Sequence, residues 1–195
     1  LTEADRTVIG NTTPKFSGGF GLNATYKGFD MSMFFNFMYD FDVLNANKIM
    51  LTTWADNKEN NFLMDIASDK RWRNFDDMGN EIRYSPEVLA EFNKNATMWN
   101  PTSIGRPICM SYAVEDGSFL RLNSATLGYT LPSVWTKKVG LSKVRFYVSG
   151  NNLFTLTGYS GYDPEVNIAT GLTPNIDYNR YPRSRTYTFG AQLTF

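Results

Sequence analysis

FDMSMFFNFMY, residues 29–39, places a large apolar side chain at every odd position: Phe29, Met31, Met33, Phe35, Phe37 and Tyr39. Asp30, Ser32 and Asn36 stand at even positions, with Phe34 and Met38 as exceptions. Side chains of a strand alternate between its two sides, so this period of two predicts a strand with one continuous apolar face. Eleven residues match the roughly 9–11 that a tilted strand needs to cross a bilayer core. Aromatics at both ends of that face suit an interfacial girdle.

The same signature recurs on either side. Phe16, Gly18, Phe20, Leu22, Ala24 and Tyr26 alternate with Ser17, Gly19, Gly21, Asn23 and Thr25, and only Lys27 and Gly28 separate this run from the next. That spacing predicts a hairpin over 16–26 and 29–39 with a tight turn. Further strands are predicted at about 119–131, with Ala125, Leu127, Tyr129 and Leu131 on the apolar face, and at about 144–151 through Val144, Phe146, Val148 and Gly150. A last strand, YTFGAQLTF at 187–195, sets Tyr187, Phe189, Ala191, Leu193 and Phe195 against Thr188, Gly190, Gln192 and Thr194. Between them lie two long connections, about 40–118 and 152–186, rich in Asn, Asp, Gly and Pro. Short helices are expected near 57–68 and 86–95. Connections this long are more often functional than padding.

Composition narrows the function. No stretch approaches the 18 or so consecutive apolar residues of a membrane-spanning helix. Averaged hydropathy would favour a soluble chain, but membrane strands score low on any averaged scale because they alternate. Nineteen basic and nineteen acidic residues balance, with no basic stripe for nucleic acid. The single cysteine, Cys109, excludes an internal disulfide, and the absence of histidine excludes a Ser-His-Asp or Cys-His arrangement within this segment.

Five strands with short and long links in alternation give an antiparallel transmembrane β-barrel, here an incomplete C-terminal portion with two long extracellular loops. Membrane barrels of bacteria have at least eight strands, and an open sheet edge in lipid is prohibitive. Further strands are therefore expected upstream of Leu1, which is not a start residue. Asp30, Asn36, Arg121, Asn123, Arg145 and Gln192 are expected on the inward, polar face.

Six stretches carry a resemblance: GNTTPKFSGGF (10–20), YKGFDMSMFF (26–35), VEDGSFLRL (114–122), TLGYTLP (126–132), YVSGNNLFTLTGYSGYDPEV (147–166) and YPRSRTYTFGAQLTF (181–195). Together they resemble the SusC/RagA group of TonB-dependent outer-membrane transporters. The resemblance implies a barrel of about 22 strands, closed by a plug domain that this chain lacks and energised through TonB. It also implies a Gram-negative outer-membrane location with a periplasmic C-terminus, a SusD-like lipoprotein partner and an oligosaccharide or peptide as cargo. The end of the chain resembles the signal read by the barrel-assembly machinery, carried by Tyr187, Phe189, Leu193 and Phe195.

Substrate-contact candidates are the loop aromatics Trp54, Trp72, Tyr84, Trp99 and Tyr112, since aromatic faces stack on sugar rings or peptide side chains. Packing of the loop, or contact with the lipoprotein, is the competing role for each. Glu115, Asp116, Asp163 and Glu165 lack the spacing of a calcium loop, and Asp-Gly and Asp-Pro are turn chemistry. No metal site, cofactor or catalytic residue is expected. Two alternatives keep other functions open. One is an outer-membrane barrel hydrolase. The other is a soluble β-sandwich carbohydrate-binding module, which requires the apolar faces of 29–39 and 187–195 to be buried between sheets.

Overall fold

The computed structural model describes residue 4 and residues 6–53, 61–66, 70–101, 109–166 and 174–195. The chain divides into two units, Leu1–Val43 with Val114–Phe195, and Leu44–Ala113.

The first unit is built on a five-stranded antiparallel sheet. It comprises β1 (Phe16–Tyr26) and β2 (Phe29–Tyr39), then β5 (Phe119–Thr130), β6 (Lys143–Thr157) and β8 (Thr186–Thr194), in the order β1-β2-β5-β6-β8. The shorter β3 (Asp42–Asn45), β4 (Val114–Asp116) and β7 (Ile176–Asp177) pair as β4-β3-β7. Consecutive long strands are neighbours, as in an up-and-down meander. Register aligns the apolar positions in rows: Leu22 faces Met33, Met33 faces Ala125, and Ala125 faces Gly150. A second row runs Tyr26, Phe29, Tyr129, Phe146. In it the Phe29 and Tyr129 rings lie 4.4 Å apart. The apolar face is open to the surroundings, with Phe29, Phe146 and Phe189 50%, 51% and 80% exposed. The sandwich alternative fails here, because no second sheet covers this face among the described residues.

Lys27 and Gly28 close the β1–β2 hairpin with φ of 47° and 90°. Two positive φ values are the requirement of the primed turn whose twist matches a hairpin. A Cβ on Gly28 would stand 2.8 Å from the Thr130 carbonyl oxygen, so the close approach of β5 demands glycine as well.

Two irregularities correct the sequence expectation. Between Phe34↔Ser124 and Phe35↔Leu122, β5 carries Asn123 as an extra residue. This bulge reverses the phase of β5. Leu120 and Leu122 join Ala125, Leu127 and Tyr129 on the apolar face, and Arg121 takes the polar face opposite Asn36. Asn123, expected inward, is the bulged residue itself. On β6, the pairs Ser124↔Asn151 and Leu122↔Phe154 leave Asn152 and Leu153 out of step. Asn152 has φ 52°, a conformation asparagine tolerates. The strand then continues to Thr157, where the sequence had predicted a loop from residue 152. Interrupted alternation concealed its second half.

The exceptions to alternation also have physical reasons. Met38 and Phe119, paired on the polar face, pack with Phe41, Val43, Tyr159 and Val166 in a buried cluster of the first unit. Each such buried side chain contributes roughly 1.5–3 kcal/mol. Phe34 lies across β1, where a Cβ on Gly19 would meet its ring at 2.8 Å.

The second unit contains α1 (Ala46–Met50), a 3-10 turn at Met64–Ile66 and α2 (Pro86–Asn93). Its buried apolar residues include Ile49, Ile66, Ile82 and Met98. Pro86 opens α2, where its missing N–H costs nothing. Asn93 stitches the end of that helix to the segment before it. Its side chain accepts from the Arg73 N–H at 2.6 Å and donates to the Arg73 and Leu89 carbonyls at 2.9 and 2.8 Å. Of the two helices expected from sequence, 86–95 matches α2. The expectation at 57–68 partly falls outside the described residues, and its described end is the 3-10 turn.

Candidate functional site

The polar face of the large sheet carries two charged groups, one toward each end. Near the tight turn, Asp30 on β2 and Arg145 on β6 reach across β5 to form an ion pair, with Arg145 Nε donating to Oδ1 at 2.9 Å. Gly128 of β5 lies beneath them. A Cβ there would stand 2.6 Å from both Arg145 Nε and Asp30 Oδ1. The guanidinium continues over the Tyr147 ring at 5.2 Å, and that ring occupies the space above Gly190 of β8. Glycines on β5 and β8 thus allow a flat charged and aromatic strip to bind four strands together.

At the opposite end, Arg121 is 2% exposed. It is paired with Asp163 and has Glu165 Oε2 at 3.8 Å. Glu165 in turn accepts from Arg183 at 2.7 Å. The Glu165 N–H donates to Asp163 Oδ1 at 2.9 Å. Ser160 donates to Glu115 through its N–H at 3.0 Å and its Oγ at 2.8 Å. The Tyr159 hydroxyl donates to the buried Asp177 at 2.7 Å. These contacts fold YSGYDPEV, residues 159–166, onto the polar face of the sheet. A cavity of about 210 Å³ remains beside them, lined by Arg121, Thr155, Tyr162, Asp163, Arg183 and Arg185 among others.

Electrostatics hold Asp163 charged and Tyr159 neutral. Burial pulls the Asp163 carboxyl upward, but the Arg121 guanidinium and the Glu165 N–H outweigh it and hold the group below the usual carboxylate range. Burial, with the Asp177 carboxylate beside it, pushes the Tyr159 hydroxyl well above its ordinary value. Tyr159 is therefore a fixed donor rather than a proton-exchanging group.

The turn reading of the acidic residues is correct for Asp116, whose Oδ1 accepts from the Ser118 N–H at 2.9 Å and Oγ at 2.5 Å. It is incomplete for Asp163 and Glu165, which are counter-ions of Arg121. Among the described residues no group of three or more Asp, Glu or Cys is placed to hold a metal ion.

The loop aromatics are not gathered into one site. Trp54 lies outside the described residues. In the second unit Trp99 and Tyr112 meet edge to face at 5.2 Å. Trp99 Nε1 donates to the Thr52 carbonyl at 3.3 Å, and the Tyr112 hydroxyl donates to Asp65 at 2.6 Å. Both serve the interior of that unit. Trp72 and Tyr84 are 41% and 80% exposed. Of the end-strand residues, Tyr187, Leu193 and Phe195 are 61%, 51% and 90% exposed, with Phe189 on the same apolar face.

No protein-family model matches the chain. TonB-dependent receptor P3 of Formosa agariphila is 35% identical over 201 residues, covering 100% of this chain and 18% of that protein. TonB-dependent receptor SusC of Bacteroides thetaiotaomicron is 38% identical over 88 residues, 43% of this chain and 8% of that protein. The structure of the RagAB peptide importer in its closed-closed state superposes with a TM-score of 0.71 at 26% identity, over 94% of this chain and 17% of that one. The chain belongs to the SusC/RagA-type TonB-dependent receptors. It spans less than a fifth of the length of these relatives. As part of a SusC/RagA-type receptor, the five-stranded sheet is a section of barrel wall, and the Arg121 cluster stands on its polar face. The relatives are TonB-dependent receptors and a peptide importer.

Proposed function

We propose that this chain forms part of the wall and outer mouth of a TonB-dependent importer, which carries an oligosaccharide or a peptide across the outer membrane and works with a SusD-like lipoprotein. The observation that carries this reading is the division of one sheet into two faces. One is apolar and open, suited to lipid; the other is charged, glycine-smoothed and partly covered by the 159–166 connection held down at Arg121. A wall needs these two surfaces, and an active site needs neither. The two long connections then lie outside the cell, and the tight turn, the 131–142 link and the C-terminus lie in the periplasm. Exposed Trp72 and Tyr84 are the aromatic groups on which cargo stacks, while Trp99 and Tyr112 hold their unit in shape. Tyr187, Phe189, Leu193 and Phe195 serve as the strand that assembly recognises. The chain itself does no chemistry on the cargo.

The test is uptake by cells expressing the complete receptor with its lipoprotein, offered labelled oligosaccharides and labelled peptides, with and without a functional TonB. Uptake of one class, intact and TonB-dependent, is expected. Hydrolysis of either class by the purified receptor would place it among the barrel hydrolases instead.

A further inference from the structure

The 19 basic and 19 acidic residues balance over the whole chain, but not along the sheet. No Asp or Glu occurs between Asp116 and Asp163, or after Asp177. The end of the sheet that holds the tight turn therefore carries Lys27, Lys137, Lys138, Lys143 and Arg145 against one acid, Asp30. Asp30 is already consumed by Arg145. The segments meet at this end through backbone bonds. Thr130 N–H donates to the Gly28 carbonyl at 2.8 Å, Leu131 N–H to Val144 at 2.9 Å and Ser142 N–H to Thr194 at 2.8 Å.

Lys143 heads β6 one position before Val144, which belongs to the apolar row, so it falls on the polar face. The other three lysines differ. Lys27 Nζ lies 5.2 Å from the centroid of the Tyr26 ring, and Tyr26 belongs to the apolar row. Lys137 and Lys138 open a 3-10 turn, Lys137–Val139, directly after the short helix α3 (Ser133–Thr136). Beside them Val134, Trp135 and Val139 are 68%, 60% and 71% exposed. Three exposed apolar groups in a surface link are costly in water, and the two cations beside them, with Lys27 in the turn that is bonded to Thr130, make an unsuitable surface for burial in protein. A membrane interface satisfies both: indole and aliphatic groups sit at the headgroup level while ammonium groups reach phosphate.

We infer that the tight-turn end of this sheet is a contact site for anionic phospholipid headgroups, with Trp135 as the interfacial anchor and Lys27, Lys137 and Lys138 as the phosphate partners. The inference rests on the membrane-spanning reading of the sheet, with whose apolar face the site is continuous. It adds a preference for lipid charge at one end only, because the acid excess falls on the rest of the chain.

The complete receptor, and a variant with Lys27→Gln, Lys137→Gln and Lys138→Gln, would be folded into phosphatidylcholine vesicles containing spin-labelled phosphatidylglycerol or spin-labelled phosphatidylcholine. The motionally restricted fraction of each label reports the lipid held at the protein surface. A lysine near an anionic surface adds roughly fivefold to lipid attraction. The phosphatidylglycerol-over-phosphatidylcholine preference should therefore fall by about twofold or more in the variant. The difference should vanish at high salt. Equal preference in the two proteins overturns the inference while leaving the membrane reading intact. Failure of the wild-type receptor to enter vesicles at all sinks both. Should the triple variant not fold, Lys137→Gln with Lys138→Gln, confined to the exposed link, gives the same comparison.

Discussion

Arg121 of β5 donates through Nη2 to Oδ1 of Asp163, 42 residues later in the chain, with side chains 2% and 11% exposed. This pair holds the YSGYDPEV connection against the polar face of the sheet. Removing one member of a buried pair leaves the other charge uncompensated, at about 3–5 kcal/mol. Arg121→Met should therefore destabilise the folded receptor by roughly that amount in urea titrations. Adding Asp163→Leu should recover much of the loss, although Glu165 keeps some of the penalty. The exposed Lys15–Asp40 pair, with side chains 65% and 46% exposed, is the control. Its loss through Lys15→Met should leave stability almost unchanged, since solvent screens an exposed pair. Equal damage at both sites would show that burial of Arg121 does not set the energetics.

The same pair sets a pH dependence. Asp163 is held below the usual carboxylate value in the folded state, so folding favours its ionised form. Its contribution is complete above the unfolded value of about 3.9 and is lost as pH falls through the lower folded value. Hydrogen exchange in residues 159–166 should therefore stay slow from neutral pH down to about 5, after correction for intrinsic rates. Protection should then collapse below about pH 4. Asp163→Asn should flatten that acid limb, and an unchanged limb in the variant would assign it to other carboxylates.

Legibility differed between wall and mouth for a physical reason. A strand with one apolar face writes its period of two into the sequence, so β1 and β2 could be traced residue by residue from Phe16 to Tyr39. Where a bulge interrupts the period, as at Asn123 and Asn152, the pattern loses phase, and the second half of β6 was hidden as loop. The Arg121 cluster was legible only in parts. Arg121 was recognisable as an inward residue and Asp163 as a turn residue. Their meeting depends on a 42-residue separation that no local period encodes. Trp99 and Trp72 look alike in sequence, and only packing separates the interior ring from the exposed one.

The two faces of β2 can be separated by charge. Met33 pairs with Leu22 and Ala125 in the middle of the apolar row. Met33→Arg should cost about 2–4 kcal/mol for a charge at mid-membrane. Ser32, facing Asn23 and Thr126, lies on the polar face, and Ser32→Arg should be far better tolerated. Folding yield and reversible unfolding in vesicles measure both. Comparable damage would refute the assigned faces.

Gly128 tests the inner strip. A methyl group there meets the Asp30–Arg145 pair, standing 2.6 Å from Arg145 Nε. Something must move, and such overpacking costs typically about 1–3 kcal/mol. Gly128→Ala should therefore destabilise the receptor in the wild-type background. It should do so much less when Arg145→Ala has already vacated the space, a coupling expected of groups in direct contact. Additive effects would mean that the glycine is required by the backbone and not by the ion pair above it.

The loop aromatics divide by what they touch, and that division predicts opposite phenotypes. Trp99 is half-buried against Tyr112 and donates to Thr52. Trp99→Ala should lower the stability of the 44–113 unit by about 3 kcal/mol, the low end for a large aromatic deletion. Its effect on uptake should follow from lost folding, with proteolysis of that segment as the measure. Trp72 and Tyr84 are exposed, so alanine there should move stability by no more than about 0.5 kcal/mol. If their rings stack on cargo, uptake should require several-fold more substrate while the amount of folded receptor is unchanged. A transport curve that neither substitution shifts would remove both residues from the cargo path.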